Sequence, residues 1–165
     1  MAYLELTKGF KTRLDAKDAD AMGAFNWYAQ TGSGNRKRMY AARRVGGRLN
    51  GKIIYLHRIL TGAKTHQQVD HINGDSLDNR RRNLRLCSHG QNRMNSLRYS
   101  SNTSGFKGVS FRKDTGMWDC RLTVKGRQII GGCFKTAELA AHAYDRLSKK
   151  YHGKFGYLNF PRRKS

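Results

Sequence analysis

Three short runs in the C-terminal part of the chain each show a period-two alternation that points to extended backbone: Lys107–Arg112, Trp118–Val124 and Gln128–Phe134. Side chains of a strand point to opposite faces in turn, so a period of two builds a half-buried sheet. The DTG and KG segments between the runs supply the turns. Val109 and Phe111 then point one way, with Trp118, Cys120, Leu122 and Val124 filling the same face. The period changes after Phe134. Ala140, Ala143, Tyr144, Leu147 and Tyr151 recur at helical spacing. Thr136 is placed to cap this helix, Glu138 suits the dipole in its first turn, and Gly153 ends it. The expectation is three antiparallel strands packed on one amphipathic helix, with Trp118, Phe134 and Tyr144 in the core.

The preceding residues are less regular. Residues 3–16 alternate weakly and suggest a strand or hairpin. Asp18 is placed to cap a short helix through Phe25, followed by a strand around Trp27–Gln30. TGSGNRKR (31–38) reads as a glycine-rich basic loop. Tyr40–Arg44 and Lys52–His57 look like paired strands around the turn VGGRLNG, and Arg58–Leu60 begins a short helical connection. Val69–His71 and Leu84–Cys87 are strand candidates joined by a polar loop whose N-G and D-N pairs favour turns. Ser88 is a candidate N-cap for a helix from about His89 to Arg98. The small polar residues of YSSNTS (99–104) mark a linker.

Lys and Arg total 33 against 11 Asp and Glu, a formal net charge of +22 in 165 residues. Self-repulsion on that scale calls for a polyanionic partner. The excess runs along the whole chain and is interleaved with 2 Trp, 8 Tyr and 7 Phe, which points to folded domains with basic faces rather than a disordered basic tail. Cys87, Cys120 and Cys133 form no C-x-x-C pair, so neither a disulfide framework nor structural zinc is expected, and the setting reads as reducing and cytoplasmic. No apolar run approaches the ~18 residues needed to span a bilayer, and no membrane partner is expected.

Phosphodiester cleavage needs an activated water, a cation to offset charge on the phosphate and leaving oxygen, and groups that hold both. The adjacent pair Asp70-His71 meets two of these needs. Asp70 offers a hard oxygen suited to Mg²⁺ or Mn²⁺. His71, with a reference pKa near ~6.5, is suited to take a proton from water at neutral pH. Asn92, about one turn into the following helix, can offer a carbonyl oxygen to the metal. A lone Asp-His pair is usually inert; the whole spaced pattern in so basic a chain reverses those odds. His57 reads as a packed or capping histidine, and His66, His142 and His152 as surface residues.

The run DHINGD…DNRRRNLRLCS…QN resembles the HNH nucleases, in the subgroup found in phage homing endonucleases. The resemblance covers Tyr55 to about Asn95. It implies a ββα-metal fold with His71 as general base and Asp70 and Asn92 as metal ligands. It gives Asn83 a structural part in catalysis, tethering the long loop so that His71 is oriented. The third motif position is Asn92 rather than His, so the pattern is H-N-N, a variant of the homing subgroup; His89, one turn earlier, keeps the ligand assignment open. Arg80, Arg81 and Arg82, between the two halves of the pattern, are candidate phosphate contacts.

Residues 103–161 resemble the plant ethylene-response-factor (Apetala-two-like) DNA-binding domain, including KGV, AAHAYD and the terminal LNF. In that family a three-stranded sheet enters the major groove with the helix behind it. The resemblance assigns DNA contacts to Lys107, Ser110, Arg112, Arg121, Thr123 and Gln128. Ser110 stands where plant members usually have arginine and Ile130 where they usually have tryptophan, so the plant target sequence does not carry over.

The expected fold is α+β: an HNH nuclease domain with N-terminal strands over 1–98, a linker at 99–104 and a DNA-binding domain over 105–161. The expected function is a site-specific homing endonuclease that cuts double-stranded DNA with one divalent ion and a histidine base. It is expected to be monomeric on DNA and, if phage-encoded, to work in the bacterial host's cytoplasm. By family analogy it leaves 5′-phosphate and 3′-hydroxyl ends. Two rivals are a DNA-binding regulator that keeps the HNH unit only as scaffold, and an RNA-binding protein, although no RNA-binding module is apparent.

Overall fold

The computed structural model describes residues 2–32, 38–46, 50–98 and 101–161, so most of the glycine-rich basic loop, the tip of the VGGRLNG turn and the first two linker residues lie outside it. The fold is of the mixed α+β class with antiparallel sheets, and the chain forms two compact units, residues 1–89 and 90–165.

The first unit opens with a hairpin of β1 (Ala2–Glu5) and β2 (Lys11–Leu14), then α1 (Ala16–Gly23). Asp15, not Asp18, is the N-cap of α1; Asp18 lies in the first turn, buried, with its carboxylate on the Arg81 guanidinium at 2.8 Å. An ion pair to a residue 63 positions away overrides the local capping preference that the sequence suggests. β3 (Tyr28–Thr31), β4 (Met39–Val45) and β5 (Lys52–Tyr55) form an antiparallel sheet with β4 in the middle. The helical connection begins earlier than expected: α2 spans Leu56–Thr61 because Leu56 and Leu60 both turn into the core. Gly62 ends α2 at φ +63°, its N–H reaching the Arg58 and Ile59 carbonyls, a left-handed cap that a Cβ would strain.

β6 (Gln68–His71) and β7 (Leu84–Cys87) pair antiparallel, with Asp70 opposite Arg85 and His71 opposite Leu84. The core beneath the sheets joins Leu6, Leu14, Trp27, Ala29, Ala41, Leu56, Leu60, Val69 and Leu84. The loop 72–83 between β6 and β7 is docked on β2 as if it were a further strand: Arg13 N–H donates to Leu77 O at 2.8 Å and Asn79 N–H to Arg13 O at 2.9 Å. Next in the chain comes α3 (His89–Met94), shorter than the helix expected to reach Arg98. Strand, loop, strand and helix follow in the expected order.

In the second unit β8 (Val109–Arg112), β9 (Met117–Val124) and β10 (Arg127–Phe134) form the expected antiparallel sheet, with β9 central. α4 (Ala137–His152) packs on it through Ala140, Ala141, Ala143 and Tyr144, which meet Val109, Cys120 and Leu122. The Thr136 side chain caps α4 by accepting from Leu139 N–H at 3.3 Å. Gly108, at φ +74°, lies so close to the Tyr144 ring that a Cβ there would fall 2.1 Å from it; backbone conformation and space both demand glycine. Phe111 departs from expectation. It pairs with Trp118 across the strands, its ring 5.0 Å away, yet stays 47% exposed at the end of β8. The LNF segment is held by Asp145, whose carboxylate accepts the backbone N–H groups of Asn159 and Phe160, while Asn159 Oδ1 accepts from Lys107 N–H.

Candidate nuclease centre and nucleic-acid interface

Asp70 and His71 end β6, and both are buried, at 4% and 7% exposure. His71 Nε2 lies 3.3 Å from Asn79 Oδ1. The partners of Asn79 settle which atom donates. The Thr12 hydroxyl gives its proton to Leu77 O at 2.8 Å, so it receives from Asn79 Nδ2 at 2.7 Å. The oxygen of Asn79 therefore faces His71, and Nε2 carries the proton. In the neutral form of this tautomer Nδ1 is the basic nitrogen. Burial pushes the His71 imidazole below its ordinary value, against the opposing pull of the Asn79 hydrogen bond and the Asp70 charge.

Asn83 staples the ends of the loop. Its Nδ2 donates to Asn73 Oδ1 at 2.9 Å and to Asp78 O at 2.8 Å, and its Oδ1 accepts from Asn73 N–H at 3.0 Å. The three arginines of the loop differ in their partners. Arg80 forms an ion pair with fully buried Asp78, whose carboxyl it holds below the usual range. Arg81 grips Asp18 through two nitrogens at 2.8 Å and donates to Leu60 O at 3.0 Å. Arg82 is exposed. Asp70 Oδ2 receives the Arg85 guanidinium through Nε at 2.8 Å and Nη2 at 2.5 Å.

Three of these residues escape a reading of the sequence. Asn79 was legible only as half of a turn-forming D-N pair. Arg85 looked like an ordinary polar residue of a strand. His57, expected to be merely packed, places its ring 5.3 Å from that of His71, edge to face, and stacks on Tyr55 at 5.6 Å. Burial, with His71 and Arg58 nearby, pushes the His57 pKa down to about 3. Its position between apolar residues gave no hint of this neighbour. His89, one turn before Asn92 on α3, has its Nδ1 3.0 Å from Gln68 Nε2.

A hard divalent cation fits the chemistry of this donor set. Asp70 supplies a carboxylate, and no group of three or more His, Cys, Asp or Glu side chains gathers as a metal cluster among the described residues. Mg²⁺ is commonly held by one or two carboxylates, with phosphate and water completing its shell.

In the second unit Ser110, Arg121, Thr123 and Gln128 are exposed on the sheet face away from α4, with Gln128 opposite Thr123 and Ile130 opposite Arg121. Arg112 lies at the end of β8, its guanidinium on Asp114 and 3.9 Å from Asp119. Lys107 precedes β8, and its ammonium donates to Met94 O at 2.8 Å and Ser96 O at 2.6 Å. Asp119 was not foreseen. It is buried on the outer face, accepting from Arg121 at 2.8 Å and from the Cys133 thiol at 2.9 Å, and together these hold its carboxyl below the usual range. An acidic residue inside a basic alternating strand was the available signal.

A buried Asp-His pair at the end of a hairpin strand, an asparagine-stapled loop and a following helix define an HNH endonuclease unit, and residues 62–94 match the HNH endonuclease family. The general activity of such a unit is cleavage of DNA. The chain belongs to the same family as Protein 3.8 of Escherichia phage T7, with which it is 37% identical over 87 residues, 53% of this chain and 71% of that protein. It is also similar to an AP2-like ethylene-responsive transcription factor of Arabidopsis thaliana and to APETALA2-like protein 2 of Oryza sativa subsp. indica. Each is 40% identical over 60 residues, 36% of this chain but 12% and 14% of the respective plant proteins. Among the described residues no helix is long and apolar enough to cross a membrane.

Proposed function

We propose that this chain is a site-specific homing endonuclease that hydrolyses double-stranded DNA, with His71 as general base and Asp70 and Asn92 as the oxygen ligands of one Mg²⁺ or Mn²⁺ ion. The observation that carries the reading is the hydrogen-bond chain from Thr12 through Asn79 to His71, which makes Nε2 the donor and Nδ1 the basic nitrogen of the neutral ring, on the residue that follows buried Asp70 in β6. When bound, the cation offsets charge on the scissile phosphate and the departing oxygen. His71 Nδ1 takes a proton from the attacking water, Asn79 keeps the ring in the productive tautomer, and Asn83 keeps the loop in register. Arg82 contacts phosphate, while Arg80 and Arg81 chiefly brace the loop through Asp78 and Asp18.

The second unit, as a domain over 105–161 joined through 99–104, lays its exposed sheet face into the DNA. Ser110, Arg121, Thr123 and Gln128 make the contacts, with Arg112 at the margin; the likeness to plant transcription factors supports this placement. Lys107 acts mainly within the unit. The protein binds as a monomer in the cytoplasm of a bacterial host.

His71→Ala tests the reading. Cleavage of duplex DNA in Mg²⁺ should be lost, while binding measured in Ca²⁺ should stay near that of the parent. Substantial cleavage by the variant would remove His71 from the mechanism.

A further inference from the structure

Asp70 and Arg85 face each other across the β6–β7 ladder. Two guanidinium contacts, from Nε and Nη2, fall on one carboxylate oxygen, Oδ2, at 2.8 and 2.5 Å, and the Arg85 side chain is only 15% exposed. A strand register fixes this pair more firmly than a loop could, and burial shields it from salt. The consequence is electrostatic. The acidic ligand of the proposed centre, Asp70, already has a full positive charge beside it. A divalent cation arriving at Asp70 meets no net negative charge from these residues and is repelled by a guanidinium a few ångströms away.

We propose that Arg85 makes cation uptake at Asp70 depend on DNA: the ion is held firmly only when a backbone phosphate joins it and supplies the missing negative charge. This rests on the reading of Asp70 as a metal ligand. Arg85 then acts on the reaction through Asp70 and is a positioning residue. The benefit is selective timing. A nuclease whose cation binds together with substrate is not armed while free.

The test is Mn²⁺ binding followed by electron paramagnetic resonance, with and without a pool of mixed-sequence duplexes, all in a His71→Ala background so that nothing is cut. With Arg85 present, Mn²⁺ should bind weakly alone and at least about tenfold more tightly with DNA. Arg85→Gln should bind Mn²⁺ without DNA about tenfold more tightly than its parent, a change on the scale of one nearby charge. Arg85→Lys, which keeps the charge, should stay weak. Circular dichroism and urea melts establish that each variant is folded, and the comparison of the parent with and without DNA needs no Arg85 variant. Equal Mn²⁺ affinity in Arg85→Gln and its parent, equal tightening in Arg85→Lys and Arg85→Gln, or tight DNA-independent binding by the parent would each overturn the role of Arg85 alone. If Asp70→Asn leaves DNA-dependent Mn²⁺ uptake unchanged, Asp70 is not the ligand, and the site reading falls with the inference.

Discussion

His71 donates from Nε2 to Asn79 Oδ1 at 3.3 Å, and the direction of that bond is set by the Thr12 hydroxyl on the other side of Asn79. Asn79→Ala should therefore lower kcat for DNA cleavage by about 10²-fold with little change in DNA affinity, the scale expected when a general base loses its orientation. Asn79→Asp keeps an acceptor toward His71 and should retain more of the rate. A single-turnover cleavage series checks both; equal rates for Asn79→Ala and the parent would show that the ring needs no such partner.

Asp78 and Arg80 provide a measure of what the loop costs to hold. Breaking a largely buried ion pair typically costs about 3–5 kcal/mol, and Asp78→Asn should fall in that range by urea denaturation. The pH dependence follows from the Asp78 carboxyl, which Arg80 holds below the value it has in the unfolded chain. Its contribution is complete above the unfolded pKa and disappears as pH falls through the folded one. The stability gap between the parent and Asp78→Asn should accordingly narrow on acidification below about pH 4.

Gly108→Ala should destabilise the second unit by about 2–4 kcal/mol, since the new methyl meets the buried Tyr144 ring and the backbone sits at positive φ. Thermal melting of the full chain provides the check. A neutral effect would mean that Tyr144 moves aside freely.

Arg121→Ala should relax base preference at one position of the target and cost about 1–3 kcal/mol if the side chain reads a base. If it touches only phosphate, affinity should fall equally for all duplexes, and the log–log salt slope should decrease by about 0.9. Arg112→Ala, with its guanidinium already on Asp114, should have the smaller effect. Selection from a random duplex library, paired with a salt titration, separates these outcomes.

The elements that the sequence reveals are those whose cause is local. β8, β9, β10 and α4 follow from periods of two and about 3.6, and Thr136 caps α4 as its type and position suggest. The Asp70-His71 pair stood out because both residue types carry chemistry. What remained hidden was set by distant partners. Asp18 left its expected capping role for an arginine of the loop, Asn79 became a relay through a threonine of the first hairpin, and His57 acquired a neighbour by the packing of α2 against β6. Phe111 obeyed its alternation and meets Trp118, yet stays 47% exposed. Periodicity assigns a side chain to a face; it does not say what lies opposite.

The docking of the loop on β2 has a kinetic consequence. Thr12 and Asn79 are separated by 67 positions, so the proton geometry at His71 forms only after a long-range closure. During synthesis the first hairpin emerges well before its partner, and no segment containing the motif alone can assemble the centre. A fragment limited to residues 62–94 carries every motif residue but lacks the hydroxyl that directs Asn79. Transplanting such a fragment into another scaffold should transfer the pattern without the enzyme, unless a hairpin bearing the equivalent of Thr12 travels with it.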